Sequence, residues 1–409
     1  MEVLLLSPTN LSGQCDCYVS TQIVGFLRAF QSINDHTKLH PQTSQPIVQF
    51  TVVVPSTDVP IADFGERKGL DKMPHVTVLH VIPQPLLKPL DGDAFLPKLL
   101  EAPQYCAAVL RHYANRHTKP NVIHAWDWST AHVASGLALT LNTPWIFSLL
   151  NSIKWTLSRH QEGRVSALAA QLEEYGLLHS TVATQPSQFL AKIYDQALLK
   201  HKTAVIYPAV DIASAPKIKQ THHINNFRMP GRNSIKIVYS GRLSSSGNIQ
   251  TILEAKLPPD VDLIVSGPEP TEEKIAHLLH QATESKERCV YYVGPVNTTT
   301  RWTMLQKARF AIVSSPSTTP THALEVLAAH AVLITDGAGG AGELLPAKVA
   351  IQCDGTTEDY SLAFKQAAEM NDDEYNDRIT QGRKLAEMYS FNYSAHSFAA
   401  LYDYVNCFN

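Results

Sequence analysis

The segment NVIHAWDWSTAH, Asn121 to His132, sets one aspartate, Asp127, between Trp126 and Trp128, where a short apolar run gives way to a helical pattern. A carboxylate there is either an oxygen acceptor for chemistry or an ordinary helix cap. Further along, Gly337, Gly339 and Gly342 follow an apolar run with the G-x-G-x-x-G spacing that lets backbone amides approach a phosphate, and Asp354 ends the next run. That pattern fits a dehydrogenase, but Pro346 cuts the segment ELLPA where the phosphate-facing helix belongs, and no catalytic constellation accompanies it. Asp91-Gly92-Asp93 lies in a proline-rich stretch without strand context and reads as a surface turn. His222-His223 has no third ligand nearby, and neither a G-x-S-x-G elbow nor a P-loop occurs. No metal site is therefore expected.

Composition narrows the class of partner. The 34 basic and 37 acidic residues are scattered, for a formal charge of −3, which gives no electrostatic footprint for nucleic acid or an anionic membrane. A small or neutral partner fits better. Cys15, Cys17, Cys106, Cys289, Cys353 and Cys407 form no paired C-x-x-C motif, so they read as free thiols in a reducing cytoplasm. The apolar start MEVLLL stops at Ser7-Pro8, too short for a signal-peptide core. The stretch Val133–Leu150 is too interrupted by polar residues for a membrane span.

A chain of 409 residues favours two domains. Strand-length apolar runs alternate with helical patterns, the signature of parallel strands covered on both faces. In the first half strands are predicted at Val3–Leu6, Val48–Val54, Val76–His80, Val122–Ala125, Trp145–Ser148, Thr181–Ala183 and Ala204–Ile206. Helices include Thr21–Ser32, Pro103–Arg116, Thr130–Leu141 and Ser187–Leu199, the last capped by Ser187. Alternation lapses over Asp211–Ser234, a polar stretch with two prolines, two adjacent histidines and no usable periodicity, and then restarts with strands at Ile235–Ser240, Asp262–Ser266, Val290–Val293, Phe310–Val313, Val332–Thr335 and Val349–Gln352.

The order of motifs in the second half, VYSGRLSSSGN, LIVSGPEP, VYYVGPV, LQKARFAIVSSPS and HALEVLAAHAVLITDGAGGAGELL, resembles the nucleotide-binding domain of retaining GT-B glycosyltransferases, above all the glycogen and starch synthases. In the first half LLLSPTN, IHAWDWSTAH and PWIFSLLN are similar to the acceptor-domain motifs of the same enzymes. The resemblance implies an α/β GT-B fold: two Rossmann-like, doubly wound parallel-sheet domains facing a cleft. The expected boundaries are 1–209 for the acceptor-side domain, 210–234 for the linker and 235–390 for the nucleotide-sugar domain. Residues 391–409 are expected to pack back on the first domain as a helix.

It further implies retaining transfer of a hexose, glucose by analogy, from a nucleoside-diphosphate sugar to a glycan such as an α-glucan, with no metal or other cofactor. Asp127 and Arg242 take the catalytic positions, with Arg242 on the diphosphate. Gly13, His124, Trp128, Gly241, Ser317, Thr318, Thr319 and Glu325 line the substrate and nucleotide sites, Glu325 on the ribose. The glycines at 337, 339 and 342 become a donor-facing loop.

Several family residues have no counterpart. The lysine after the arginine is lost from Ser244-Ser245-Ser246-Gly247, the first glutamate of the Glu-x7-Glu pair is Ser317, and Leu150 stands on a family histidine. The glycine-rich loop after the first strand, Asn10–Gln14, keeps Gly13 but lacks its lysine. Each lost charge-stabilising group typically costs about 3–4 kcal/mol of barrier. The alternative expectation is thus a catalytically degenerate scaffold or regulator that binds a sugar, a glucan or a sister glycosyltransferase.

Overall fold

The computed structural model describes residues 1–8, 18–39, 47–55, 70, 73–81, 102–157, 164–194, 202–212, 228–231, 235–244, 247–285, 289–314 and 319–408. Gly13, Ser317, Thr318, Asp91-Gly92-Asp93 and His222-His223 lie outside the described residues. The chain divides into two compact units, one of Met1–Pro208 with Phe391–Asn409 and one of Ala209–Ser390.

In chain order the strands are β1 Glu2–Leu6, β2 Gln49–Pro55, β3 Val76–Val81, β4 Val122–Trp126, β5 Trp145–Ser148, β6 Val182–Gln185, β7 Thr203–Val205, β8 Ile235–Ser240, β9 Val261–Ser266, β10 Val290–Tyr292, β11 Phe310–Val313, β12 Val332–Thr335 and β13 Ala350–Gln352. The helices are α1 Tyr18–Leu39, α2 Ala102–Arg116, α3 Trp128–Leu141, α4 Ile153–Leu157, α5 Arg164–His179, α6 Gln188–Ala191, α7 Ile249–Glu254, α8 Glu273–Glu284, α9 Thr298–Lys307, α10 Thr321–Ala328, α11 Thr357–Glu369, α12 Asp372–Glu387 and α13 Phe391–Asn406.

The first unit holds a parallel seven-stranded sheet of order β3-β2-β1-β4-β5-β6-β7. Its strands are mostly apolar because both faces are covered, with a few polar residues such as Thr51, His124 and Ser148 buried among them. Val3, Leu5 and Trp126 pack with residues of α1 and α13 on one face. Leu4, Leu6 and Ala125 pack with residues of α2, α3 and α5 on the other. Gly25 of α1 is where α13 comes closest: any side chain there would overlap the Phe391 ring. Around this contact Phe26, Phe30, Phe50, Phe398 and Tyr402 form edge-on and tilted ring pairs at centroid distances of 4.9–6.3 Å. Burying each such ring stabilises the fold by about 1.5–3 kcal/mol.

The second unit is a parallel six-stranded sheet of order β10-β9-β8-β11-β12-β13. Residues of α7, α8 and α11 cover the face of Ile237 and Tyr239. Residues of α9, α10 and α12 cover the face of Val238 and Ala311. The segment Ala209–Ile212, which the sequence assigns largely to a linker, is part of this unit. Val210 is buried and pairs with Ser390, its N–H donating to the Tyr389 carbonyl at 2.9 Å.

Helices α4, α11 and α12 were not singled out in the sequence, and α1 is longer than its pattern suggested. Ser187 caps α6 as expected, its hydroxyl accepting from Leu190 N at 3.0 Å. After Gly337 and Gly339, both at positive φ, the chain makes turns rather than a helix. The dinucleotide pattern therefore has no helix N-terminus to receive a phosphate.

Candidate functional site

Each sheet has a switch point where neighbouring strands send their following helices to opposite faces. In the first unit it lies between β1, which leads to α1, and β4, which leads to α3. In the second it lies between β8, which leads to α7, and β11, which leads to α10. Ligands of doubly wound sheets bind beyond the strand carboxyl ends at this point. Asp127 directly follows β4, Arg242 lies two residues beyond β8, and Glu325 is on the helix after β11.

Asp127 has φ 71° and ψ 158°, backbone territory essentially reserved for glycine. Its N–H donates to the Ser148 carbonyl at 2.9 Å, and its Oδ1 accepts from Trp128 N at 2.9 Å. It is a helix cap, as the sequence allowed, but one bonded to the next residue and held in a conformation that costs about 1–3 kcal/mol. Plain capping does not need that strain.

His124 is placed differently from its expected role. The ring is fully buried, and the Tyr402 hydroxyl meets Nδ1 at 2.6 Å while Trp126 Nε1 donates to the same atom at 3.2 Å. Nδ1 is therefore the acceptor, so Nε2–H donates to Ser148 Oγ at 2.7 Å, which in turn meets Thr184 Oγ1 at 2.7 Å. Burial holds its pKa down at about 3. With both nitrogens engaged beneath α13, His124 ties that helix to the sheet and offers nothing to a substrate. Tyr402→Phe is expected to lower stability by about 1–2 kcal/mol, read as a lower urea midpoint, since Trp126 still satisfies Nδ1.

Trp126 and Trp128 are 3% and 2% exposed, so neither ring presents an open face, although Trp128 was expected to line the substrate site. Leu150 is likewise buried, in the core shared with α1 and α13. Close by in sequence, the buried carboxylate of Glu173 accepts from Ser152 Oγ at 2.9 Å, Ile153 N at 2.8 Å, Lys154 N at 3.3 Å and the Tyr194 hydroxyl. Burial outweighs these donors and raises its pKa to about 7. No spacing in the sequence marked this residue.

In the second unit, the Tyr239 hydroxyl donates to the Arg242 carbonyl at 2.9 Å and lies 3.4 Å from that of Gly247, pinning the turn while the Arg242 side chain stays exposed. Gly241 N donates to Ser266 O at 3.0 Å, and its own carbonyl lies so near Gly267 that a side chain there would collide with it. The Glu325 side chain is only 13% exposed. Its Oε1 accepts from Arg301 Nη2 at 2.7 Å, and its enclosed Oε2 has no hydrogen-bond partner among the described residues. Thr319, buried, lies two residues before α10.

In the glycine-rich loop, Gly337 N donates to Thr335 Oγ1 at 3.2 Å and Ala338 N to Asp336 Oδ1 at 3.1 Å. These two amides are turned to the loop's own side chains. Asp336 Oδ2 also accepts from Asn248 Nδ2 at 3.1 Å and Ser314 Oγ at 3.2 Å, joining the start of α7 to the ends of β11 and β12. Asp336 was not singled out in the sequence, although its Asp-Gly pair carries a turn signal. Nothing comparable marked Arg301. Among the described residues no group of three His, Cys, Asp or Glu side chains is arranged to hold a metal, and no helix is long and apolar enough to cross a membrane.

Two doubly wound parallel sheets, with polar strand ends gathered at both switch points, define the GT-B glycosyltransferase fold. The solved structures agree. Sucrose-phosphate synthase from Thermosynechococcus elongatus superposes with a TM-score of 0.71 at 16% identity, covering 100% of each chain. Anabaena HepE in complex with UDP and glucose gives 0.65 at 16% identity, covering 99% of this chain and 100% of that one. The catalytic domain of starch synthase IV from Arabidopsis thaliana, bound to ADP and acarbose, gives 0.67 at 12% identity, covering 99% of each. In sequence, the chain is 24% identical over 246 residues to glycogen synthase of Mycobacterium tuberculosis, across 56% of this chain and 55% of that protein. The match thus spans about half the length of the curated relative. No protein-family model matches the chain.

Proposed function

We propose that this protein is a hexosyltransferase of the glycogen and starch synthase type, moving a hexose, glucose in the first instance, from a nucleoside-diphosphate sugar to a glycan with retention and without a metal. The carrying observation is the enclosed, partnerless Oε2 of Glu325 on the helix beyond β11, in the same unit as the exposed Arg242 beyond β8. An acceptor oxygen suits a ribose hydroxyl, and a guanidinium suits a diphosphate. Relatives solved with UDP-glucose and with ADP support a donor of this chemistry. Asp127, strained at the other switch point, would supply an acceptor oxygen to the sugar or acceptor glycan, with Gly13 and residues 317–319 completing the donor contacts.

A second reading, a sugar- or glucan-binding regulator or a partner of a sister glycosyltransferase, is favoured by the loss of His124 to the core and the burial of Leu150. Calorimetry with ADP, UDP and GDP separates the two. A nucleotide is expected to bind, with Arg242→Ala weakening it about 10- to 100-fold, the value of one charge-assisted contact. Diphosphate release from a sugar-nucleotide panel, with and without maltooligosaccharide, then reports transfer. No nucleotide binding at millimolar concentration leaves only the regulator.

A further inference from the structure

We infer that Arg301 is a positioning residue that aims the Glu325 carboxylate at the ribose hydroxyls of the nucleotide, an inference that rests on the nucleotide reading above. Arg301 projects from α9 and Glu325 from α10, two helices packed on the same face of the second sheet through Trp302, Leu305, Leu324 and Leu327. Their rigid packing fixes the distance between the two side chains.

The pair joins Nη2 to Oε1 at 2.7 Å with side-chain exposures of 22% and 13%. A purely structural ion pair this enclosed would give the second carboxylate oxygen a donor or leave it in water. Among the described residues Oε2 has no donor, and it is closed off from solvent. Holding Oε1 against the guanidinium stops the carboxylate from rotating, so the direction of Oε2 is set before a ligand arrives. An enclosed acceptor that lacks a donor selects a ligand that brings one, and a vicinal diol brings two.

The test is calorimetry on the full chain with UDP, ADP and GDP, followed by the 2′-deoxy and 3′-deoxy forms of whichever binds best. The wild type is expected to prefer the ribonucleotide about tenfold or more over at least one deoxy form. Arg301→Met should erase most of that preference while leaving the affinity for the deoxy form within about twofold, because that form never used the aimed oxygen. Arg301→Lys should keep an intermediate preference. Loss of a merely structural bridge would instead weaken both nucleotides alike.

A preference that survives Arg301→Met but collapses in Glu325→Gln overturns the role of Arg301 alone. A preference untouched by Glu325→Gln overturns the ribose reading with it, as does the absence of any nucleotide binding. Thermal denaturation checks that each variant is folded. Should Arg301→Met fail to fold, Arg301→Lys decides, and an undiminished preference in that variant overturns the inference.

Discussion

Replacing Asp127 by glycine is expected to stabilise the first unit and to suppress sugar transfer at the same time. At φ 71° and ψ 158° the aspartate holds about 1–3 kcal/mol of backbone strain that glycine does not feel. Against that gain stand the greater freedom of glycine in the unfolded chain, about 0.5–1 kcal/mol, and a few tenths for the exchanged cap. The net effect runs from about zero to a gain of about 2 kcal/mol, a rise of up to a few degrees in the melting temperature of this unit. Asp127→Ala keeps the strain and loses the cap, so it should be about 1–2 kcal/mol less stable than the wild type.

Both substitutions remove the carboxylate and are expected to slow transfer about 10²- to 10³-fold, the usual effect of losing one transition-state contact. Opposite signs for stability in the two variants, with equal losses of rate, identify a side chain kept for chemistry at the expense of the fold. If glycine lowers the melting temperature as much as alanine does, the strain is not real. If the rate is unchanged, Asp127 is only a cap.

The second large effect concerns acid. His124 is neutral in the fold, with its pKa held at about 3 by burial, whereas in the unfolded chain it takes up a proton below its ordinary value of 6.5. The unfolded state then binds more protons, so stability is full above pH 6.5 and falls as the pH drops toward 3. Between pH 6.5 and 4.5 the loss is about 2 kcal/mol.

Glu173 acts in the opposite sense. Raised from 4.5 to about 7, it contributes stability below pH 4.5 that is lost as the pH rises through 7. The two therefore oppose one another between pH 4.5 and 6.5, and His124 must be isolated by comparison. Urea midpoints of wild type and His124→Gln, measured from pH 7 to pH 4.5, should converge as the pH falls, because only the wild type loses the His124 contribution. Parallel curves would mean that the imidazole is accessible and titrates normally.

How far the sequence carried depended on whether a feature was local. The alternation of strand-length apolar runs with helical patterns dictated two parallel sheets, because a strand covered on both faces is apolar over most of its length. Asp127 was legible where an apolar run gives way to a helical pattern, whereas Arg242 came from the resemblance of SGRLSSSG to a family motif; both stand just beyond strand ends at a switch point, where such folds bind ligands. Ser187 was read as a cap from its own neighbours and is one.

What depended on contacts between distant residues was not legible. His124 belongs to a motif that placed it with the substrate, yet Tyr402, 278 positions away, takes its Nδ1 and shuts it into the core. Arg301 and Glu325 sit on successive helices with a strand between them, and no periodicity announces that one guanidinium will claim one carboxylate oxygen and leave the other bare. The glycine conformation imposed on Asp127 arises where β4 must hand the chain to α3 while staying bonded to Ser148 of the next strand. Backbone pattern and hydrophobic period are properties of a segment, so the amino-acid sequence by itself determined the sheets and the positions of their polar ends. Ring orientation, carboxylate pairing and strain are properties of what packs against a segment, and only the tertiary structure decided those.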